Sequence, residues 1–287
     1  MDYRNSLHKN AKLKNRTNNA LIIFFLTLVL ILILFPILIV TFNAFKTEEN
    51  FYATGPFGIP KSFTVTAFLN SIDKLKFFPR LLNSVIISLS TAVLATALSF
   101  FNGYALGVGR IKGRLLILVF FLIAMTIPQE SVVYPLYYMF KSVKLYNSHI
   151  GVILCLMAFN LSFGTYLMGT VLREFPLEYV EAARVDGASN LYILFRIITP
   201  LSIPSLSVLF VLFFIWTWND FFISLIFLIS ERVQTIPLGI LQTRGQYRVA
   251  MTDQAAAALL LCLPSIIFFI LFQRTMTKGI MASGIKG

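Results

Sequence analysis

The sequence predicts an all-α, polytopic membrane protein with six transmembrane helices and a short amphipathic helix pair between the fourth and fifth. Three observations carry that prediction. Of 287 residues, 57% are hydrophobic and 13% charged, with mean hydropathy +0.81, more apolar matter than one soluble core needs. Apolar runs recur at 20–42, 81–108, 115–139, 149–172, 202–229 and 255–273, each long enough to cross about 30 Å of hydrocarbon. The basic residues gather between these runs rather than within them. A net charge of +12 therefore reads as a topology signal and not as a nucleic-acid surface.

Residues 1–19 form a basic tail carrying Arg4, Lys9, Lys12, Lys14 and Arg16. The run at 20–42 is too long for a signal-peptide core and no small-residue cleavage site follows it, so it is expected to stay as an anchor. With the tail in the cytoplasm, the inner segments also hold Arg110, Lys112 and Arg114, then Arg173, Arg184 and Arg196, then Arg274, Lys278 and Lys286. That bias, modest but consistent, places both termini inside. Cys155 and Cys262 lie within apolar runs and make neither a metal spacing nor a disulfide framework. No metal, cofactor or catalytic constellation is expected.

Residues 43–80 form an external loop with turns at Pro56, Gly58 and Pro60, and the Thr-rich alternation of FTVTAF suits a short strand. Residues 81–273 then hold five spans. In the first of these, Ser99, Gly103 and Gly107 recur at four-residue spacing, which lets helices approach closely in lipid; packing within the chain and a subunit interface both fit. The next run passes Pro128 and Pro135, which free backbone carbonyls and need protein or water beside them. Glu130 between them is either functional or simply solvated near the boundary. The fourth span mixes Asn160, Ser162 and Thr165 with Phe159, Phe163 and Tyr166, a set that suits stacking on a sugar or hydrogen bonding between helices. The fifth contains WTWNDFF, in which Asn219 and Asp220 should face a cavity or a neighbouring helix rather than lipid.

The segment 176–200 is polar between two spans and reads as two short helices. Pro176, Glu178 and Glu181 favour a helix start, and Glu181 can pair with Arg184. Gly187 suits the residue after a helix end. Ser189 suits an N-cap for a second helix whose Leu191, Leu194, Phe195 and Ile198 share one face, with Pro200 and Pro204 marking the bend into the next span.

The string EYVEAARVDGASNLYILFRIITP closely resembles the EAA loop of ABC importer permeases. GYALGVGRIKGR, the PLY segment, WND and the tail QRTMTKGIMASGIKG resemble further segments of that family's carbohydrate branch, the tail being similar to that of maltose-type permeases; the likeness is weakest before residue 20. Gly107–Gly109 stands where the family has better helix formers, so the second span should end early.

That resemblance implies a MetI-like permease fold with a cytoplasmic coupling helix in a bacterial cell (inner) membrane. It implies that Glu178, Glu181, Ala182, Ala183, Asp186, Gly187, Leu194 and Phe195 dock a separate ATPase. It also implies a tail, 274–287, whose Gly279, Ser283, Gly284 and Gly287 reach the same ATPase pair. Asn160, Thr165, Tyr166, Trp216, Asn219 and Asp220 are the pathway candidates. The expected partners are a second permease subunit forming a heterodimer, two ATP-binding subunits, an extracellular or periplasmic solute-binding protein, and a carbohydrate, an oligosaccharide by the branch resembled.

The chain has no GxxxxGK[ST] phosphate loop, so it should not hydrolyse ATP by that route and should be a non-catalytic subunit. The alternatives are the same machinery carrying a polyol or glycerol phosphate, and an ion-coupled secondary transporter, which would favour internal repeats around a buried ion site. A non-transporting scaffold would not require Asn219 and Asp220 within a span.

Overall fold

A computed structural model describes the backbone of residues 2–109, 111–243 and 250–284, and the side chains of 19–109, 111–241 and 250–273. It is helical throughout, with no strand among the described residues. The elements are α1 (Asp2–Ala44), α2 (Glu48–Thr54), α3 (Thr66–Lys74), α4 (Phe77–Gly107), α5 (Arg114–Ala124), α6 (Gln129–Ser142), α7 (His149–Arg173), α8 (Glu178–Val185), α9 (Asn190–Tyr192), a π-helical turn (Ile193–Ile198), α10 (Thr199–Trp218), α11 (Phe222–Phe227), α12 (Ile236–Gly239) and α13 (Met251–Gly284), with single 3₁₀ turns on either side of α12. Among the described residues five helices are long and apolar enough to cross a membrane, and α5 and α6, bent by 96° at their junction, pass that test only as a pair.

The chain divides into two units. The first comprises residues 1–71 and 244–259. The apolar side chains of α1 are largely exposed in the isolated chain, as befits a span whose solvent is lipid. Beyond it, Thr47 caps α2 by accepting from Asn50 N–H at 3.1 Å, and Gly55 ends that helix at φ +70°. The fully buried Lys46 Nζ donates to Asn43 Oδ1 and to the Gly55 carbonyl, both at 2.9 Å. The strand expected from FTVTAF does not form. Instead Thr64 Oγ1 accepts from the N–H of Thr66, the first residue of α3, at 3.2 Å. A threonine hydroxyl that satisfies a free N–H at a helix start outweighs a weak β preference that has no partner strand.

The second unit, residues 72–243 and 260–287, holds the larger core. Helices α4 and α7 run parallel, with Ser99 beside Gly164, Gly103 beside Met168 and Gly107 beside Leu172. A Cβ on Gly103 would lie 2.5 Å from Met168 Cβ, and one on Gly107 2.7 Å from the Leu172 carbonyl carbon. The small-residue stripe is therefore used within the chain, where bare backbones allow close approach. Helix α10 lies antiparallel to α7, Thr217 meeting Asn160 and Phe213 meeting Gly164. Leu209, Phe213, Phe214 and Trp218 of α10 join Ala92, Phe100, Met168 and Leu172 in one core.

The third span is not the continuous helix its apolar run suggests. It breaks at Met125–Pro128, because Pro128 restricts the residue before it to extended backbone and cannot continue the hydrogen-bond ladder. The fifth span breaks as well, at Asn219–Phe221 between α10 and α11. Helix α4 begins at Phe77, four residues before the apolar run, and so carries Arg80 into the helix. Its end at Gly107 matches the early stop expected there. Helix α13 continues to Gly284, well past the apolar run that ends at 273.

Candidate functional site

The polar segment between α7 and α10 is a two-helix motif with defined caps at its joint. Helix α8 ends in a Schellman arrangement: Ala188 N–H donates to the Ala183 carbonyl at 2.9 Å and Gly187 N–H to that of Arg184 at 3.1 Å. Gly187 sits at φ +78°, the left-handed conformation in which a side chain costs most. Ser189 Oγ then accepts from Tyr192 N–H at 3.2 Å and starts the next helix. The ion pair expected between Glu181 and Arg184 does not form; both line a small cleft with Val108, Leu177 and Val180. Exposed pairs of this kind gain too little to hold two long side chains in one geometry.

The motif has one rooted face and one free face. Val180, Ile193, Leu194 and Ile198 are buried in the core formed with α4, α7 and α10. Glu178, Glu181, Ala182 and Asp186 are exposed, Gly187 is exposed with open space beside its Cα, and Ala183 is half-buried. Val185 and Leu191 present apolar side chains to the outside at 88% and 68% exposure, with Tyr179 and Tyr192 beside them. The single apolar face expected for 191–198 is thus divided: Leu194 and Ile198 point inward, Leu191 and Phe195 outward, with Phe195 edge-on to Phe101 at 6.4 Å. The cause is the π-helical turn at 193–198. Its wider turn brings residues five apart, Ile193 and Ile198, onto the same buried side, which a regular α-helix would not do.

The pathway candidates separate into two groups. Asn160 is buried and donates from Nδ2 to Thr217 Oγ1 at 3.3 Å, joining α7 to α10. Thr165 is fully buried, its Oγ1 accepting from Asn102 Nδ2 at 3.0 Å between α7 and α4. Each of these polar groups is satisfied by a partner on a neighbouring helix. Asp220 is likewise engaged: Oδ2 accepts from Ser224 N–H at 2.9 Å and Ser224 Oγ–H at 2.8 Å, and Oδ1 lies 3.4 Å from Ile223 N. It supplies acceptors to free N–H groups in the first turn of α11, at the point where the span breaks. By contrast Asn219 is exposed, and its Nδ2 donates to the Ile215 carbonyl at 2.8 Å. Trp216 is 44% exposed beside Phe163, ring centroids 5.1 Å apart, and Tyr166 is half-buried. The accessible polar and aromatic positions are therefore Asn219, Trp216 and Tyr166.

Two constructions escaped the sequence reading. Arg80, almost fully buried, donates from Nη1 to the Leu75 carbonyl at 2.7 Å and from Nη2 to Gln234 Oε1 at 2.9 Å. Asn83 Nδ2 holds the carbonyls of Arg232 and Gln234, Ser84 Oγ accepts from Ile236 N–H, and Lys76 pairs with Glu231 at 2.6 Å. The first two turns of α4 thus clasp the loop at 229–236. Asn147, at φ +57°, makes a second clasp. Its Oδ1 accepts from Ile229 and Ser230 N–H, and its own N–H donates to the Phe227 carbonyl at 3.0 Å. An arginine and an asparagine in the opening turns of an apolar helix were the available signal for the first; nothing local marks the second.

The side chains of Gly279, Ser283 and Gly284 lie outside the described residues, where only the α13 backbone is defined, and Gly287 lies outside them altogether.

Residues 101–280 match the family described as binding-protein-dependent transport system inner membrane component. The chain is 32% identical over 275 residues to the arabinooligosaccharides transport system permease protein AraQ of Bacillus subtilis (strain 168), covering 93% of this chain and 95% of that one. It is 28% identical over 264 residues to the inner membrane ABC transporter permease protein YcjP of Escherichia coli (strain K12), covering 91% and 94%. In three dimensions it is similar to a bacterial ABC transporter solved as involved in the import of the acidic polysaccharide alginate. That match has TM-score 0.79 and 21% identity, over 91% of this chain and 97% of the other.

Proposed function

The chain belongs to the family of binding-protein-dependent transport system inner membrane components, the permeases of ABC importers, and from that premise we propose that it is the membrane-spanning subunit of an ATP-driven carbohydrate importer. The observation that carries the coupling half of this reading is the motif at 178–198, rigidly rooted on one face and free on the other. A helix pair that only connected two spans would have no reason to expose Val185, Leu191 and Tyr192 together. An ATPase subunit that covers them would gain roughly 1.5–3 kcal/mol for each large apolar side chain fully removed from water. Its movement would pass through Leu194 and Ile198 directly into α10.

On this reading the segment 176–200 and both termini are cytoplasmic, and the loop at 229–243 faces a substrate-delivering protein outside. A second, related permease completes the pathway, two ATP-binding subunits drive it, and α13 reaches toward them. Asn219, Trp216 and Tyr166 border the route, while Asn160, Thr165 and Asp220 hold its walls. The substrate class follows from the curated relatives: AraQ is named for arabinooligosaccharides and other relatives for glucose and starch degradation products. An oligosaccharide is accordingly the first choice over a polyol or glycerol phosphate.

The test is uptake by vesicles containing the whole complex. Labelled oligosaccharide should enter only when ATP is supplied at the face carrying residue 189. Uptake driven by a sodium or proton gradient without ATP would replace this reading with ion-coupled transport, and uptake of glycerol phosphate alone would retain the machinery and change the substrate.

A further inference from the structure

Four tyrosines converge on one cleft of about 400 Å³ beside the break in the third span. Tyr134, Tyr137 and Tyr138 come from α6, Tyr146 from the following loop and Phe222 from α11, with the Glu130 carboxylate at the edge. Tyr137 and Tyr146 stand edge-to-face, 4.9 Å between centroids, while Tyr134 and Tyr138 are 75% and 68% exposed. Each wall is held. Asp220 caps the helix that carries Phe222. Asn147 ties the loop that carries Tyr146 to the end of the same helix. The result is a concavity with aromatic faces and one carboxylate, carried on elements whose ends are tied by hydrogen bonds.

We propose that this cleft is a saccharide docking site, distinct from the polar positions at Asn219, Trp216 and Tyr166; the inference rests on the carbohydrate reading of the transporter. A pyranose ring presents C–H faces that pack on tyrosine rings and equatorial hydroxyls that donate to a carboxylate or exchange hydrogen bonds with phenols. A quaternary ammonium is the other ligand that aromatic clusters accept. Lys141, which does not line the cleft, lies with Nζ 5.4 Å from the Tyr137 ring centroid and 3.3 Å from its hydroxyl. The carbohydrate reading of the transporter selects the neutral, hydroxylated ligand, and the quaternary ammonium serves as its control.

The experiment is saturation-transfer NMR on the full chain in lipid nanodiscs, with maltotriose as the probe and choline as the control. Transfer to the sugar ring protons is expected from wild type. It should weaken about three- to tenfold in Kd for Tyr134→Ala and Tyr138→Ala, whose exposed side chains support no core. Tyr134→Phe and Tyr138→Phe should retain most of it, and Glu130→Gln should weaken it. Unchanged transfer in the Tyr134→Ala/Tyr138→Ala double variant, absence of transfer in wild type, or transfer to choline exceeding that to maltotriose would each overturn the site. Vesicle uptake separates this from the broader reading. Carbohydrate import with an unchanged KM in the double variant removes the cleft alone, whereas no ATP-driven carbohydrate import by wild type removes the importer assignment as well.

Discussion

The Ala188 N–H reaches back across Gly187 to the Ala183 carbonyl, 2.9 Å away, and this bond closes the junction between α8 and α9. A Cβ on Gly187 would meet nothing within 4 Å, so any penalty there comes from the backbone at φ +78° alone. Gly187→Ala should cost about 1 kcal/mol and Gly187→Val more. Both should leave the chain in the membrane and lower transport-coupled ATPase activity. Wild-type coupling in Gly187→Val would argue against a docking role for this motif.

Asp220 and Ser224 offer a separable test of what the acidic residue of the fifth span does. Asp220→Asn keeps the shape but replaces one accepting oxygen with a donor, so either the Ser224 N–H and hydroxyl together or the Ile223 N–H lose their acceptor. Loss of the cap should destabilise the complex by about 0.5–2 kcal/mol. A double-mutant cycle with Ser224→Ala, read by thermal unfolding, should show the two effects to be coupled. Additive effects would mean that the carboxylate acts elsewhere.

Gly103 is placed where no side chain fits. In Gly103→Ala the new methyl would lie 2.5 Å from Met168 Cβ and 2.8 Å from the Met168 carbonyl carbon, and the second is backbone that cannot turn away. Overpacking of this kind costs about 1–3 kcal/mol. A lower melting temperature by fluorescence-detected size exclusion, with Gly113→Ala as a strained but uncrowded control, would measure it.

The clasp around Arg80 predicts that the loop at 229–236 loosens when that side chain is lost. Arg80→Met leaves the Leu75 carbonyl and Gln234 without their charged donor, at about 1.5–3 kcal/mol, and should speed proteolysis within the loop. Lys76 holds the Glu231 carboxyl below its ordinary value of 4.5. A depressed carboxylate contributes its stability above the ordinary value and loses it as pH falls through the lower one. Protection of the loop should therefore decline below about pH 4.5 in wild type, and this part of the decline should vanish in Glu231→Gln.

Orientation is open to direct labelling. With Cys155 and Cys262 replaced by alanine, a cysteine at Ser189 should react only with reagents that reach the cytoplasm. One at Lys61, which is also exposed, should react only from outside. Labelling of position 189 in intact cells by an impermeant reagent would invert the topology and withdraw the coupling assignment with it.

The apolar spans, the cap residues Gly187 and Ser189 and the early stop at Gly107 were legible in the sequence because each depends on local chemistry. Twenty apolar residues have few alternatives to a membrane helix, glycine tolerates positive φ, and a serine hydroxyl reaches an N–H three residues away. The roles of Asn160, Thr165 and Asp220 were not legible, because a polar side chain in a span can face a pathway or another helix, and only the position of Asn102, Thr217 or Ser224 decides which. The same holds for Leu194 and Phe195, neighbours in sequence that the π-helical turn sends to opposite environments. What the sequence determined by itself were the elements and their ends, which nearest-neighbour hydrogen bonding and transfer free energy control. What the tertiary structure decided was which side of each element is satisfied, since that depends on partners far away along the chain.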